Sequence, residues 1–391
     1  MTVVARSLDG HGIAVDVADL TLQPRPRSRA IRKFVRLPSP NTAPSEFLNA
    51  LRRFIELHQH DMLIPADDYA LAASIAHYDE LKHLLHVACP PPVVVCRVLD
   101  KAATLEAAQN CGIAVPQTFV VSNSDQLPEL IGRTGTPAIL KPSRKQATAD
   151  DFKSWIIQTP DQVNKRFANA SRFLPPMLLQ EYCRGVGVGI EVLLHKGECH
   201  GVFQHRRLTE WPYRGGYAVT AIAESPDQSL VRSSLALLRA LQWDGVAMVE
   251  FRINPDNGRA VLMEVNGRYW GSLSLPVTAG MDFPLFQWKL IHGEPIQVPS
   301  TCSTGTKWRW TAGYVRRLHD LLIAAARSAA ARQILWRQLW QAPTDLSWSY
   351  RDSLFRLSDP LPATFELLRT LADLVANDFR ALCKRFGIGS M

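Results

Sequence analysis

Residues 248–268, MVEFRINPDNGRAVLMEVNGR, constrain the fold of this chain more than any other stretch. Asn254 to Gly258 makes a tight turn, so the flanking runs should pair as antiparallel strands. Side chains alternate along a strand, which sets Glu264 and Asn266 on one face of the second strand. Glu250, in the middle of the first strand, can reach the same face. The residues between the acids (Val249, Phe251, Met263, Val265) are apolar. A sheet with one buried apolar face and an acidic second face calls for a counter-cation. A surface hairpin with solvated acids does not fit that pattern. Two carboxylates and an amide oxygen form a hard, all-oxygen set suited to Mg²⁺, whose remaining positions are filled by phosphate oxygens and water. Arg268, two residues further on that face, is placed to meet a phosphate or a developing negative charge.

Composition narrows the class. With 391 residues, 47% of them apolar and 20% charged, the chain has room for two or three domains and is neither disordered nor fibrous. No apolar run approaches the ~18 residues of a bilayer crossing; Leu321 to Ala331 is cut by Arg327 and Ser328. The first residues lack a basic segment followed by an apolar one, so no export signal is evident. Seven cysteines without a CxxC pair read as reduced thiols, and a cytoplasmic location is expected. The net charge of +8 is uneven: residues 301–391 hold 13 basic and 7 acidic side chains, hence +6. Arg25, Arg27, Arg29, Arg32, Lys33 and Arg36 form a second basic stretch with no acid among them. That balance favours anionic partners. No helix-turn-helix, zinc-finger or RNA-recognition pattern occurs, so phosphorylated small molecules or a lipid surface are expected and nucleic acid is not.

Up to residue 98 short apolar strands alternate with helical stretches, the pattern of an α/β layer on a parallel sheet. Strands are expected at Ile13–Val17, Lys33–Leu37, Met62–Pro65 and Val93–Cys96. A helix is expected over Ser45–His58, and another beginning at Asp67–Asp68. Thr2–Asp9 reads as helical, so Met1 falls inside what should be the first helix, and the strand that normally opens such a unit is missing. Either the start lies upstream, or another segment or subunit covers the gap. A helix over Asp100–Asn110 ends at Cys111-Gly112. Residues 116–300 then turn to strands with glycine turns, including Ala138–Lys141, Met177–Tyr182 and a hairpin over Glu191–His205. From about residue 306 the chain is mostly helical and rich in Trp and Arg. The domain boundaries that follow are 1–98, 99–300 and 301–391.

Four features precede the acidic hairpin. Lys101 lies on a helix, and Lys141 ends an apolar strand. A buried strand then runs through Glu181-Tyr182-Cys183 into a Gly-Xaa-Gly-Xaa-Gly turn, whose glycines let a backbone approach a flat ligand closely. Gln204-His205-Arg206-Arg207 forms a basic strand. In this order and spacing, ending in MEVNGR and NGRYWGSLSLPVTAGMDFP, the series resembles the ATP-grasp superfamily over roughly residues 1–300. Within it the chain looks like the uncharacterised enzymes described as predicted carboxylate–amine ligases.

The resemblance implies an α/β (α+β) protein: a Rossmann-like pre-grasp domain lacking its first strand, an ATP-grasp domain of two α+β subdomains with antiparallel sheet, and a helical C-terminal extension. It implies ATP and Mg²⁺ as cofactors, with Mn²⁺ as a substitute. Lys101 and Lys141 would contact ATP phosphates, and the backbone of Glu181, Tyr182 and Cys183 would read the adenine edge. Glu191 would be a candidate for the ribose hydroxyls. Glu250, Glu264 and Asn266 would hold two Mg²⁺ ions, and Arg268 would steady the γ-phosphate or an acyl phosphate. Arg206 and Arg207 would face the phosphates or an anionic substrate, while the loop Arg214-Gly-Gly-Tyr217 would close over the acceptor. Many relatives carry a glycine-rich phosphate lid after the strand lysine. Here the run is SRKQATADDFKSW, in which Arg144 and Lys145 would substitute.

The implied activity is that of an ATP-dependent ligase, which activates a carboxylate as an acyl phosphate and joins it to an amine with release of ADP and phosphate. The alternatives are carboxylation or phosphoryl transfer at the same site, or a non-catalytic nucleotide-binding protein at a membrane surface. The partners expected are small-molecule carboxylates and amines, with a homodimer also admitted. In the tail, Val315, Leu318, Leu322, Ala325 and Ala329 recur at helical spacing among arginines, with Trp336 and Trp340 beyond. Packing on the chain's own domain is favoured over peripheral membrane contact through residues 313–340.

Overall fold

Asp16–Asp19 (β1) and Lys33–Arg36 (β2) pair in parallel, as do Met62–Leu63 (β3) and His86–Val87 (β4). This is the computed structural model of the chain, describing residues 1–20, 27–144, 154–163 and 176–385; Arg25 and Lys145 lie outside them. The two pairs form separate two-stranded sheets, and a helix over Thr2–Asp9 precedes β1. Pro44–His58 packs Phe47, Leu51 and Ile55 into the core, while the carboxylate of Asp67 caps Asp68–Ala76 by accepting from the Ala70 N–H at 2.7 Å. The valine run Val93–Cys96 is not the strand its composition suggests. It lies inside the helix Pro92–Leu99. A proline in the first turn costs that helix nothing, and Val94, Val95 and Val98 share one buried face while Val93 is exposed. β4 is instead the dipeptide just upstream.

Thr118–Val121 (β5), Ala138–Pro142 (β6), Trp155–Ile157 (β7) and Met177–Glu181 (β8) form a four-stranded sheet in the order β5-β8-β6-β7. All its described pairings are antiparallel. The helix Lys101–Asn110, capped by Asp100, is tied to the end of β6 at its first residue, with the Lys101 N–H bonded to the Ser143 carbonyl at 2.9 Å.

A second, larger sheet is built from Val186–His195 (β9), Glu198–Trp211 (β10), Tyr217–Glu224 (β11), Gly245–Ile253 (β12) and Ala260–Asn266 (β13). Lys307–Arg309 (β14) and Tyr350–Asp352 (β15) extend it to the order β13-β12-β9-β10-β11-β14-β15. One face carries Val188, Ile190, Val192, Val249 and Phe251 into an apolar core shared with the N-terminal helices. The other face holds the polar residues of the site, and beyond them a second core under residues 269–286.

The tail is more than a helical appendage. Through β14 and β15 it enters the large sheet, and Trp308 is 2% exposed with its indole N–H donating to the Ser274 hydroxyl at 2.7 Å. The helices Thr311–Ala325, Ala329–Asp345 and Leu361–Arg385 follow. The first docks on β10 through Arg317, which donates to the Glu210 carbonyl. Arg6 of the first helix bonds Asp359, so the C-terminal segment also ties down the N-terminus. Among the described residues, no helix is long and apolar enough to cross a membrane.

Candidate active site

The register of the large sheet assembles the site. β12 and β13 pair antiparallel with Glu250 opposite Glu264 and Met248 opposite Asn266. Directly opposed residues of an antiparallel pair point to one face. That is the face away from Val249 and Phe251. The Asn266 Nδ2 donates to Glu264 Oε1 at 3.1 Å, and the Arg268 Nη2 donates to Asn266 Oδ1 at 3.3 Å. Lys101 and Glu264 line one small depression between the Lys101 helix and β13, and Lys101 Nζ donates to the Pro142 carbonyl at 3.0 Å.

Arg207 on β10 joins this group across the intervening β9. Its guanidinium is 6% exposed and donates to Glu250, to Glu210 Oε1 and to the Gly216 carbonyl. Burial by itself would lower its pKa, but the charges of Glu250 and Glu210 outweigh burial and raise it, so this arginine stays charged. Gly187 makes the crossing feasible, because a Cβ there would sit 2.7 Å from Arg207 Cδ. At Gly189 a Cβ would sit 2.5 Å from the His205 ring, which bonds Glu191. These two glycines make room for side chains of β10 rather than for a flat ligand.

Two of the expected roles do not fit. Glu191 is fully buried with its carboxylate on His205, so it is not presented to a ribose; burial pushes its pKa up. Arg206 is next to Arg207 on a strand and therefore points to the opposite face, where it pairs with Glu224 on β11. Arg268 has a partner the sequence did not disclose. It makes a two-pronged bond to Asp68, at 2.9 and 2.8 Å, at the start of an N-terminal helix. That geometry keeps it beside Asn266 and links the hairpin to the helix Asp68–Ala76.

Lys141 lies on β6 of the small sheet, opposite Leu178 on β8. The strand β8 leads through Glu181, Tyr182 and Cys183 to β9, and this stretch is the hinge between the two sheets. Glu181 is tied to Gln117 by two hydrogen bonds, and the Tyr182 hydroxyl donates to the Arg214 carbonyl at 2.7 Å. The loop after Trp211 is thereby drawn toward the hinge. Cys183 is half-buried; burial raises its pKa, Glu181 adds to the rise, and Lys141, Arg252 and Arg259 are near enough to oppose it. The backbones of Arg144 and Asp100 form an isolated antiparallel β-bridge at the N-terminus of the Lys101 helix.

Sequence reasoning missed Asp68, Glu210 and Arg252. Arg252 bonds both carboxylate oxygens of Glu210, at 2.7 and 2.8 Å, and the Gly185 carbonyl at 2.9 Å. Alternation from Glu250 would have found Arg252. Glu210 reaches the face of Arg207 only because the β10–β11 register shifts between Arg207 and Glu210. No local pattern announces such a bulge.

Among the described residues no group of three or more His, Cys, Asp and Glu encloses a metal by itself. The donors present are oxygens of Glu250, Glu264 and Asn266 on adjacent strands. That set fits Mg²⁺, which needs few protein carboxylates when phosphate oxygens complete its shell.

Residues 173–314 match the family model described as ATP-grasp in the biosynthetic pathway with Ter operon. A D-alanine–D-alanine ligase of Paracidovorax citrulli is 23% identical over 43% of this chain and 53% of its own length. The vancomycin/teicoplanin A-type resistance protein VanA of Enterococcus faecium is 28% identical over 43% of this chain and 52% of its own. The chain thus spans about half the length of these curated relatives. The biotin carboxylase of Campylobacter jejuni, solved as a β,γ-ATP complex, superposes with a TM-score of 0.62 at 14% identity, over 78% of this chain and 72% of that one. These similarities support a place in the ATP-grasp superfamily, whose ligases generally use ATP and Mg²⁺.

Proposed function

We propose that the protein is an ATP-dependent carboxylate–amine ligase. The observation that carries this reading is the opposed pair Glu250 and Glu264, with Asn266 and Arg268 on the same face and Lys101 alongside. In this reading Lys141 and Lys101 would hold the triphosphate, and the backbone of 181–183 would hold the adenine edge. Bound Mg²⁺, held by Glu250, Glu264 and Asn266, would neutralise charge on the transferring phosphoryl group. A substrate carboxylate oxygen attacks the γ-phosphorus and ADP leaves, giving an acyl phosphate. The amine nitrogen then attacks the acyl carbon, phosphate leaves with the bonding pair, and the amine gives up a proton. Arg268 and Arg207 supply fixed positive charge beside the developing anions. The loop bonded to Tyr182 and Arg207 serves to exclude water from the acyl phosphate.

The similarity to a D-alanine–D-alanine ligase supports amide formation over the other bonds that this fold can make. The test is ADP release measured against a panel of carboxylates, each with and without amines. Release that needs both an acid and an amine, with a new amide detected by mass, bears the reading out. Release driven by bicarbonate alone would replace it with carboxylation. ATP binding without ADP release under any pairing would leave a non-catalytic nucleotide-binding protein.

A further inference from the structure

The long helix Leu361–Arg385 docks by its polar side. Glu366 accepts from the Trp310 indole at 3.1 Å, and Arg316 donates to Thr370 and Asp373 at 3.2 and 3.3 Å. Thr370 is 1% exposed. At about 100° per residue, Leu361, Leu368, Leu371, Val375 and Phe379 fall within an arc centred on the opposite side. All five are exposed, Val375 to 69% and Phe379 to 65%. The neighbouring helix Ala329–Asp345 is built the same way. Gln338 and Asp345 are buried against the first tail helix, while Trp336 and Trp340 stand 63% and 82% exposed. A helix in water normally buries its apolar stripe and exposes its polar one. Here the order is reversed on two successive helices, so the apolar side has another environment to meet.

Charge identifies that environment. Every acid from Asp345 to Asp378 is bonded to another group of the chain: Asp345 to Tyr314, Asp352 to Thr311, Asp359 to Arg6, and Glu366, Asp373 and Asp378 to Trp310, Arg316 and His319. Arg332, Arg337, Arg351 and Arg380 are exposed. On helix Ala329–Asp345 the outward surface combines Trp336 and Trp340 with the flanking Arg332 and Arg337, and helix Leu361–Arg385 adds its aliphatic and aromatic side chains, with the acids bonded within the chain. A two-fold pairing through the Arg332 and Arg337 side would bring two patches of the same sign together. An anionic bilayer sets them against phosphates, and tryptophan favours the headgroup level.

We propose that the outward faces of helices Ala329–Asp345 and Leu361–Arg385 dock this protein on an anionic lipid bilayer, lying in the interface without crossing it. Helix Thr311–Ala325, which begins the segment singled out from sequence, lies beneath them as their support. The proposal does not depend on the ligase reading.

The experiment is co-sedimentation of the full chain with vesicles of phosphatidylcholine, pure or with one third phosphatidylglycerol. The protein should pellet with the anionic vesicles at low salt, remain in solution with neutral ones, and come off at about 0.5 M salt, where screening is short-ranged. The Trp336→Ser/Trp340→Ser and Leu371→Asn/Val375→Asn variants should bind at least about tenfold more weakly. Their melting temperatures should stay close to that of the parent, because these side chains are exposed. Absence of sedimentation at low salt, or equal binding by the variants, would overturn the proposal. So would a concentration-dependent dimer that Leu371→Asn/Val375→Asn dissolves without any vesicle binding, which would assign the face to a second copy.

Discussion

Arg207 reaches Glu250 by lying across Gly187, so an arginine on β10 and a carboxylate on β12 meet over the strand between them. The contact requires three coincidences of sequence: a basic residue on one strand, an acid two strands away, and no side chain in the path.

Gly187→Ala should therefore act through Arg207. The new methyl would press on Arg207 Cδ and displace the guanidinium from the carboxylates of Glu250 and Glu210. Breaking a buried ion pair outright costs about 3–5 kcal/mol; partial displacement should cost about 2 kcal/mol and lower the melting temperature accordingly. In an Arg207→Ala background the closest collision is gone, leaving only the 3.0 Å approach to Glu210 Oε1, and the same substitution should cost much less. A double-mutant cycle in which the two losses simply add would refute this account.

Glu264→Gln tests the metal assignment. One anionic oxygen fewer, beside an Asn266 amide that already donates to Glu264, leaves the cation poorly held. Turnover of ATP should fall by more than the ~100-fold typical of losing an outer-shell partner, while the circular dichroism spectrum is unchanged. Turnover at the parental rate would remove Glu264 from the site.

Lys141→Ala should weaken ATP binding by one charge-assisted contact, about 1.5–3 kcal/mol or roughly 10- to 150-fold in the dissociation constant. Isothermal titration with a non-hydrolysable nucleotide reads this directly. An unchanged constant would place the triphosphate elsewhere.

The hinge offers a probe through Cys183. Only the thiolate is alkylated, and burial holds this thiol protonated beyond the ordinary range. Raising the pH favours the thiolate, so the labelling rate should keep climbing past about pH 8.5, where a free thiol is already half ionised. Saturating ADP should slow labelling at Cys183 and leave the exposed Cys96 unaffected. Equal labelling with and without nucleotide would count against adenine binding at the hinge.

What was legible in the sequence was what alternation and turn chemistry control. The hairpin around Asn254–Gly258 put Glu250 and Glu264 on one face as expected, because a period of two fixes the face once Val249 and Val265 are buried, and the turn sets the register that makes them directly opposed. Alternation was also the rule that should have separated Arg206 from Arg207. Val93–Cys96 failed for the opposite reason: β-branched residues favour strands only where a pleated surface receives them, and a proline-started helix buried two valines of the segment, Val94 and Val95, instead. Asp68 and Glu191 lay beyond any local signal. Their partners, Arg268 and His205, are respectively 200 and 14 residues away.

The C-terminal segment should be indispensable to the fold. Truncation after Thr306 would strip β14 from β11 and open a row of backbone groups that now bond Lys307 to Arg309. It would also remove Trp308 from its core and leave the guanidinium of Arg6, 5% exposed, without Asp359. The truncated chain should be insoluble or aggregate on purification. A milder change, Asp359→Asn, isolates the ion pair and should lower stability at neutral pH by about 3 kcal/mol. The pH dependence has a definite sign. Burial pushes the Asp359 pKa up, but hydrogen bonds from Ser28 and Arg6 outweigh it and hold the carboxyl below its usual value. A carboxylate lowered in the folded state stabilises above its unfolded pKa, and that contribution is lost as the pH falls below about 4. The parent and Asp359→Asn should therefore converge in melting temperature on acidification. A gap that persists undiminished at low pH, or a truncated chain as soluble and stable as the parent, would show that the tail is not bound to the body in this way.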